Sequence, residues 1–135
     1  MLTAADIMTP DIVTIPRDKL VCEVEGIFVS RDISAAPLVD SVGDTTEFIT
    51  KSDINRFHFT DGDPEYTQAW EIANPNVITI DASASIEEAA SLMVEKHMHH
   101  LLVVDEDGVA GLLSSFDFIK LASGKWQAKE TYPGA

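Results

Sequence analysis

The chain has 135 residues, 45% hydrophobic and 24% charged, which is long and apolar enough to bury a core and excludes a disordered chain. With 23 acids against 9 bases the formal charge is −14, so the basic footprint that nucleic acid or an anionic membrane requires is missing. One cysteine rules out an internal disulfide, no apolar run reaches the ~18–20 residues of a membrane span, and "MLTAADIMTP" lacks the layout of a signal peptide, so a cytoplasmic protein is expected.

In chain order, Ile12-Val13-Thr14-Ile15 predicts a short β-branched strand. A helix follows, with Asp18 as its expected N-cap and Leu20, Val24, Ile27 and Phe28 at helical spacing. Cys22 falls inside it and is expected to be a buried structural thiol. Ala36 to Val39 predicts a second strand, "DSVGDTT" a hairpin turn, and the third strand ends at Thr50, where a second helix begins. Residues 59–68, "FTDGDPEYTQ", predict a linker. The same order then returns. Val77 to Ile80 is a strand, and Ile86, Ala89, Ala90 and Met93 lie on a helix capped by Ser85 with Glu88, or by Ser83. Leu101 to Val104 is a strand, "DEDG" a turn, and a third strand ends at Ser114 before a final helix. The tail 124–135, "GKWQAKETYPGA", has no clear period and is expected to be loose or to pack at a dimer edge.

The order returns because the sequence repeats. Set over "EIANPNVITI", "DIMTPDIVTI" aligns Ile7 with Ile72, Pro10 with Pro75 and Ile15 with Ile80, a shift of 65 positions. After Asp40 the first copy carries one extra residue, so Asp53 falls on Asp117 at a shift of 64. The copies are 1–58 and 69–123, each strand-helix-strand-strand-helix. A three-stranded sheet with helices on one face leaves the other bare, and a copy of about 55 residues cannot bury it alone. The expected fold is therefore α+β, two tandem β-α-β-β-α repeats packed sheet to sheet with pseudo-twofold symmetry.

Both copies end the third strand with one motif, "EFITKSD" (Glu47–Asp53) and "GLLSSFD" (Gly111–Asp117). It puts a hydroxyl, Thr50 or Ser114, at the strand end and an aspartate in the first helical turn. Unpaired N–H groups there can hold a phosphate. An ionised aspartate accepts hydrogen bonds from two adjacent hydroxyls, as on a ribose. The bland reading of the same residues is a helix cap.

"DIMTPDIVTI", "HHLLVVDEDG", "GLLSSFD" and "FITKSD" together make the chain resemble a tandem pair of cystathionine β-synthase (CBS) domains, a Bateman module, from about Ala5 to Ser123. The resemblance implies a homodimeric disc with an adenosyl ligand (AMP, ADP, ATP or S-adenosylmethionine) in clefts between the repeats, with Mg²⁺ if the ligand is ATP. The ligand contacts it implies are Thr14, Ala36, Pro37, Thr50, Lys51 and Asp53 in the first copy. In the second they are Thr79, His99, His100, Leu102, Ser114 and Asp117. No cofactor is required. The sequence departs from the family pattern at Glu47, where the family has glycine, and at Phe116, where it has a small hydroxyl residue. A carboxylate at Glu47 would crowd or repel a phosphate, and Gly111 would leave room for one.

His97, His99 and His100 do not predict a metal site, because adjacent strand residues point apart. Trp70 and Trp126 are expected to pack. No nucleophile with an adjacent base is legible, so no catalysis is expected. The expected function is regulatory: an energy-sensing module that binds an adenine nucleotide and signals to an unidentified partner protein, with a ligand-free dimeric scaffold as the alternative.

Overall fold

The computed structural model describes residues 1–127 and forms two three-stranded sheets of identical topology, with helices, as the α+β reading requires. In the first, β1 (Ile15–Pro16) runs parallel to β2 (Ala35–Val39), which runs antiparallel to β3 (Thr45–Thr50). In the second, β4 (Thr79–Asp81), β5 (His100–Asp105) and β6 (Gly108–Ser114) repeat the arrangement. A parallel pair needs a crossover, which α2 (Val21–Arg31) and α4 (Ile86–Lys96) supply. The antiparallel pairs close through the acidic turns, where Gly43 at φ 91° and Gly108 at φ 113° take the left-handed conformation glycine tolerates. α3 (Lys51–Phe57) and α5 (Ser115–Ala122) complete the repeats.

Several local expectations need correction. The first strand begins only at Ile15. The N-cap of α2 is Leu20, not Asp18, because a turn in which Lys19 N–H donates to the Pro16 carbonyl (3.1 Å) takes up Asp18. Glu23 accepts the Leu20 N–H at 3.1 Å. Cys22 is exposed: α2 buries Val21, Val24 and Phe28, and Cys22 lies ~100° round the helix from Val21. On α4 the cap is Ser85, whose hydroxyl accepts from Glu88 N–H (3.1 Å), while Ser83 is held by Asp81 at 2.6 and 2.8 Å.

Two short elements were not anticipated, α1 (Ala4–Ile7) and a 3-10 turn (Ala69–Glu71). Each leads one copy and docks on the strands of the other. Ala4 N–H donates to Ala84 O (2.8 Å), Ala5 N–H to Ala82 O (3.0 Å), and Thr9 exchanges bonds of 2.8 and 2.9 Å with Leu112. The mirror set joins Ala69 N–H to Lys19 O (2.7 Å), Trp70 N–H to Arg17 O (3.1 Å), and Asn74 with Phe48 at 2.8 and 2.9 Å. The compact units are accordingly Met1–Ile12 with the chain from Ile78 onward, and Val13–Val77. The residues read as a linker contribute too: the carbonyls of Thr67 and Pro64 take the Val21 and Cys22 N–H groups (2.9 and 3.0 Å), which the first turn of α2 leaves without helical partners.

Each unit has its own core. One gathers Ile7, Met8, Met93, Leu101, Val103 and Leu113, with Trp126 packed against it. The other gathers Ile15, Val24, Phe28, Leu38, Ile49 and Ile54. No helix among the described residues is long and apolar enough to cross a membrane.

Candidate functional site

Both motifs sit where a third strand turns into a helix. Thr50 ends β3 opposite Ala35, and Lys51 N–H donates to the Ser34 carbonyl at 2.8 Å. Ser114 ends β6 opposite His100, and Ser115 N–H donates to the His99 carbonyl at 2.9 Å. The segment entering the second strand is thus pinned beside the motif in each unit. The first strand lies on the other side of the second: Thr79 is in register with Leu102, and Ile15 with Leu38, which carries Thr14 toward Pro37.

The aspartates are reciprocal caps. Asp53 Oδ2 accepts from Thr50 N–H (2.9 Å) and the Thr50 hydroxyl (3.1 Å), and the same hydroxyl accepts from Asp53 N–H (3.2 Å). Asp117 Oδ2 accepts from Ser114 N–H (2.8 Å) and its hydroxyl (3.2 Å). A third box of the same kind starts α1, where Asp6 Oδ2 takes Thr3 N–H at 2.8 Å and its hydroxyl at 3.2 Å. Capping geometry alone therefore does not mark a ligand site. What remains for a ligand is Oδ1 of each aspartate. In both units a cation one turn along the helix stands near it, Arg56 at 3.4 Å and Lys120 at 3.7 Å.

The other candidates divide by exposure. Thr14, Thr79, Lys51 and His99 are exposed, and His99 Nδ1 lies 3.4 Å from the Ser115 hydroxyl. Ala36, Pro37 and Leu102 are buried, so they offer a ligand backbone rather than side chains. Among the described residues no group of His, Cys, Asp or Glu has the arrangement to hold a metal.

The contrast drawn between Glu47 and Gly111 is overturned. Glu47 is not a free repulsive charge: Arg17 grips both its oxygens at 3.1 and 2.7 Å, and the Thr46 hydroxyl donates at 2.6 Å. The Arg17 bond, above all, holds the Glu47 carboxyl below its ordinary pKa. Nor does Gly111 open space for a phosphate. A Cβ there would stand 2.5 Å from Met8 Sδ and 2.7 Å from the Thr9 carbonyl oxygen, so the docked leading segment fills that space. Trp70, 42% exposed, lies over Arg17 at 5.0 Å with its indole N–H donating to Gln68 (2.7 Å), so it covers a guanidinium rather than packing in a core. Arg17 was missed, and its signal was the loss of both charged partners in the second copy, where Ala82 and Gly111 stand. Phe116 is exposed, with Lys120 Nζ 5.5 Å from its ring centre. A groove of about 480 Å³ is lined by Met93, Val94, Met98, His99, Ser115 and Phe118 among others. The tail beyond residue 127 lies outside the described residues.

The family model for the CBS domain matches residues 4–58 and again 69–124. A crystal structure of the CBS domain pair of protein MJ0100, in complex with 5′-methylthioadenosine and S-adenosyl-L-methionine, is 25% identical with a TM-score of 0.81, covering 93% of this chain and 98% of that one. Uncharacterized protein MJ1225 of Methanocaldococcus jannaschii is 26% identical over 90% of this chain and 43% of its own length. A homoserine O-acetyltransferase of Methanohalobium evestigatum is 31% identical over 87% of this chain, which spans only 23% of that protein.

Proposed function

The chain belongs to the CBS domain family, and from that premise we propose that it is a regulatory module that binds an adenosyl ligand and relays its presence to a partner protein. The observation that carries the reading is kept at the same place in both units: a box aspartate whose second oxygen, Oδ1, meets only a cation one turn along the helix, beside the entry to the second strand and the exposed threonine of the first. The 25% identical pair that holds 5′-methylthioadenosine and S-adenosylmethionine supports the ligand class. In this reading Asp53 and Asp117 accept a ribose hydroxyl on Oδ1, displacing Arg56 or Lys120 toward the ligand. Thr50 and Ser114 donate alongside. Thr14 and Thr79, with the backbone of Ala36–Pro37 and His100–Leu102, border the base, and Lys51 or His99 meets the tail. Each aspartate keeps its capping role through Oδ2 while Oδ1 serves the ligand, because an ionised carboxylate has acceptor sites to spare.

The module works as a homodimer in this reading. Val94, Phe116 and Ile119 are exposed apolar residues of α4 and α5, 76%, 61% and 58% accessible, and a self-complementary C₂ contact would cover them. No catalytic step is proposed. The test is calorimetric titration of the whole chain with AMP, ADP, ATP, S-adenosylmethionine and 5′-methylthioadenosine. Saturable binding of any of them supports the reading. No heat and no thermal shift from all five would leave the second reading, a ligand-free scaffold. That alternative is favoured by the aspartates being already engaged as caps.

A further inference from the structure

The two leading segments dock through the same backbone bonds but with unrelated side chains. Ala5 and Trp70 occupy equivalent positions, as do Met8 and Ala73; on the receiving side Ala82 matches Arg17 in the turn after the first strand, and Gly111 matches Glu47 on the third. In one unit the set is small residues plus one methionine. Met8 is 2% exposed and lies on Gly111, where no side chain can stand, and Ala5 and Ala82 are buried beside it. In the other unit the carboxylate of Glu47, 7% exposed, takes the place of that missing side chain. Arg17 neutralises it, Trp70 covers Arg17, and the residue equivalent to Met8 shrinks to Ala73.

All four positions change together while the hydrogen-bond frame does not. We infer that these residues form two exclusive keys, which allow each leading segment to dock only on the sheet of the opposite copy. Backbone pairing by itself cannot discriminate, since both frames offer the same donors and acceptors. The side chains supply the discrimination from both directions. The segment carrying Met8, laid on β3, would drive a thioether into the Glu47 side chain and leave Arg17 uncovered. The segment carrying Trp70, laid on β6, would bring an indole against Ala82 with no guanidinium to cover, and leave the hollow over Gly111 empty. The partner each surface fits is therefore a defined segment of this chain: an apolar one with a methionine for β4–β6, and one with an indole and an alanine for β1–β3. This inference is independent of any ligand.

Exchanging keys in the full-length chain tests it, read by thermal melting. The sheet key of the first copy is changed by Arg17→Ala with Glu47→Gly. Its segment key is changed by Trp70→Ala with Ala73→Met. Each double variant should melt about 5–10 °C lower, and the quadruple, which rebuilds the Met8–Gly111 arrangement, should regain at least half of that loss. A mismatched quadruple, Arg17→Ala and Glu47→Gly with Ala5→Trp and Met8→Ala, should regain none. A double variant that does not fold counts as a full loss, and recovery of a cooperative melt in the matched quadruple then supports the keys. Additive losses in the matched quadruple, or equal recovery in the mismatched one, would overturn them.

Discussion

Arg17 holds Glu47 in a two-pronged grip, its Nε on one carboxylate oxygen at 3.1 Å and its terminal nitrogen on the other at 2.7 Å. The side chain of Glu47 is 9% exposed and that of Arg17 36%, so the acid is out of water while the base keeps one edge in it. The relationship joins the turn after β1 to β3 and, through Trp70, meets the segment that leads the second copy.

Removing the base leaves a buried charge with the Thr46 hydroxyl but no counter-ion. Arg17→Met should destabilise the chain by about 1–3 kcal/mol, below the value for a fully buried pair because Arg17 is part-exposed. Glu47→Gln should cost less, since an amide still accepts from the guanidinium. Urea unfolding at neutral pH measures both. Equal losses for the two would show that the carboxylate charge is irrelevant.

The same pair sets an acid limit. The folded pKa of Glu47 is depressed, first by the Arg17 hydrogen bond, so its stabilisation is fully present above the unfolded carboxylate value of about 4.3 and is lost as pH falls through the folded value. Wild type should lose stability between neutral pH and pH ~3 more steeply than Glu47→Gln. Parallel pH–stability curves for the two would contradict the argument.

At the box aspartates two effects separate. Asp53→Ala and Asp117→Ala should each lose about 1 kcal/mol of helix-cap stability whether or not ligand is present. If Oδ1 accepts a ribose hydroxyl, Ala should also weaken binding by about 1.5–3 kcal/mol, and Asn by less. The stabilisation of about 2.7 kcal/mol that a hundredfold excess over Kd confers on the wild type should shrink accordingly. Melts with and without ligand resolve the two parts, and an undiminished ligand shift in both Ala variants would reduce the motif to a cap.

Charge ranks the ligands. With a net −14, S-adenosylmethionine or AMP should bind more tightly than metal-free ATP, and Mg²⁺ should help ATP more than AMP by neutralising the phosphate tail. Titrations at matched ionic strength check the order. Metal-free ATP binding tightest of all would defeat it.

Much of this architecture could be read in advance. The duplication put strands, crossover helices and hairpins in their order, because β-branched runs and helical spacing report local structure directly. Cys22 shows the limit of pattern: one position off the Val21–Val24–Phe28 stripe changes burial to exposure. The leading segments were invisible for another reason. Four residues of α1 and three of the 3-10 turn are too short to show a period, and nothing in a linear repeat says that each docks on the other copy. The Thr3–Asp6 box was legible, with the same hydroxyl-x-x-aspartate spacing as the two motifs, but no third strand precedes it to mark it as a repeat feature. Gly111 misled most. A glycine in a suspected binding loop suggests room for a ligand, yet its neighbour is Met8, more than a hundred residues away in sequence.

The docking of α1 on the second copy also orders events during synthesis. The acceptor for Ala4 is Ala84, and the partner of Thr9 is Leu112, so this segment is buried only after residues about 80 to 100 positions later have been made. Closing so long a loop costs more chain entropy than the 48-residue separation of Leu20 and Gln68, which pair in the other unit. Val13–Val77 is continuous in sequence, so its internal pairings can begin to form once Val77 has left the ribosome. Residues 1–12, with Ile7 and Met8 exposed, must wait for β6. A nascent chain arrested before Leu112 would thus present pairings within residues 13–77 and an unpaired, apolar 1–12 segment.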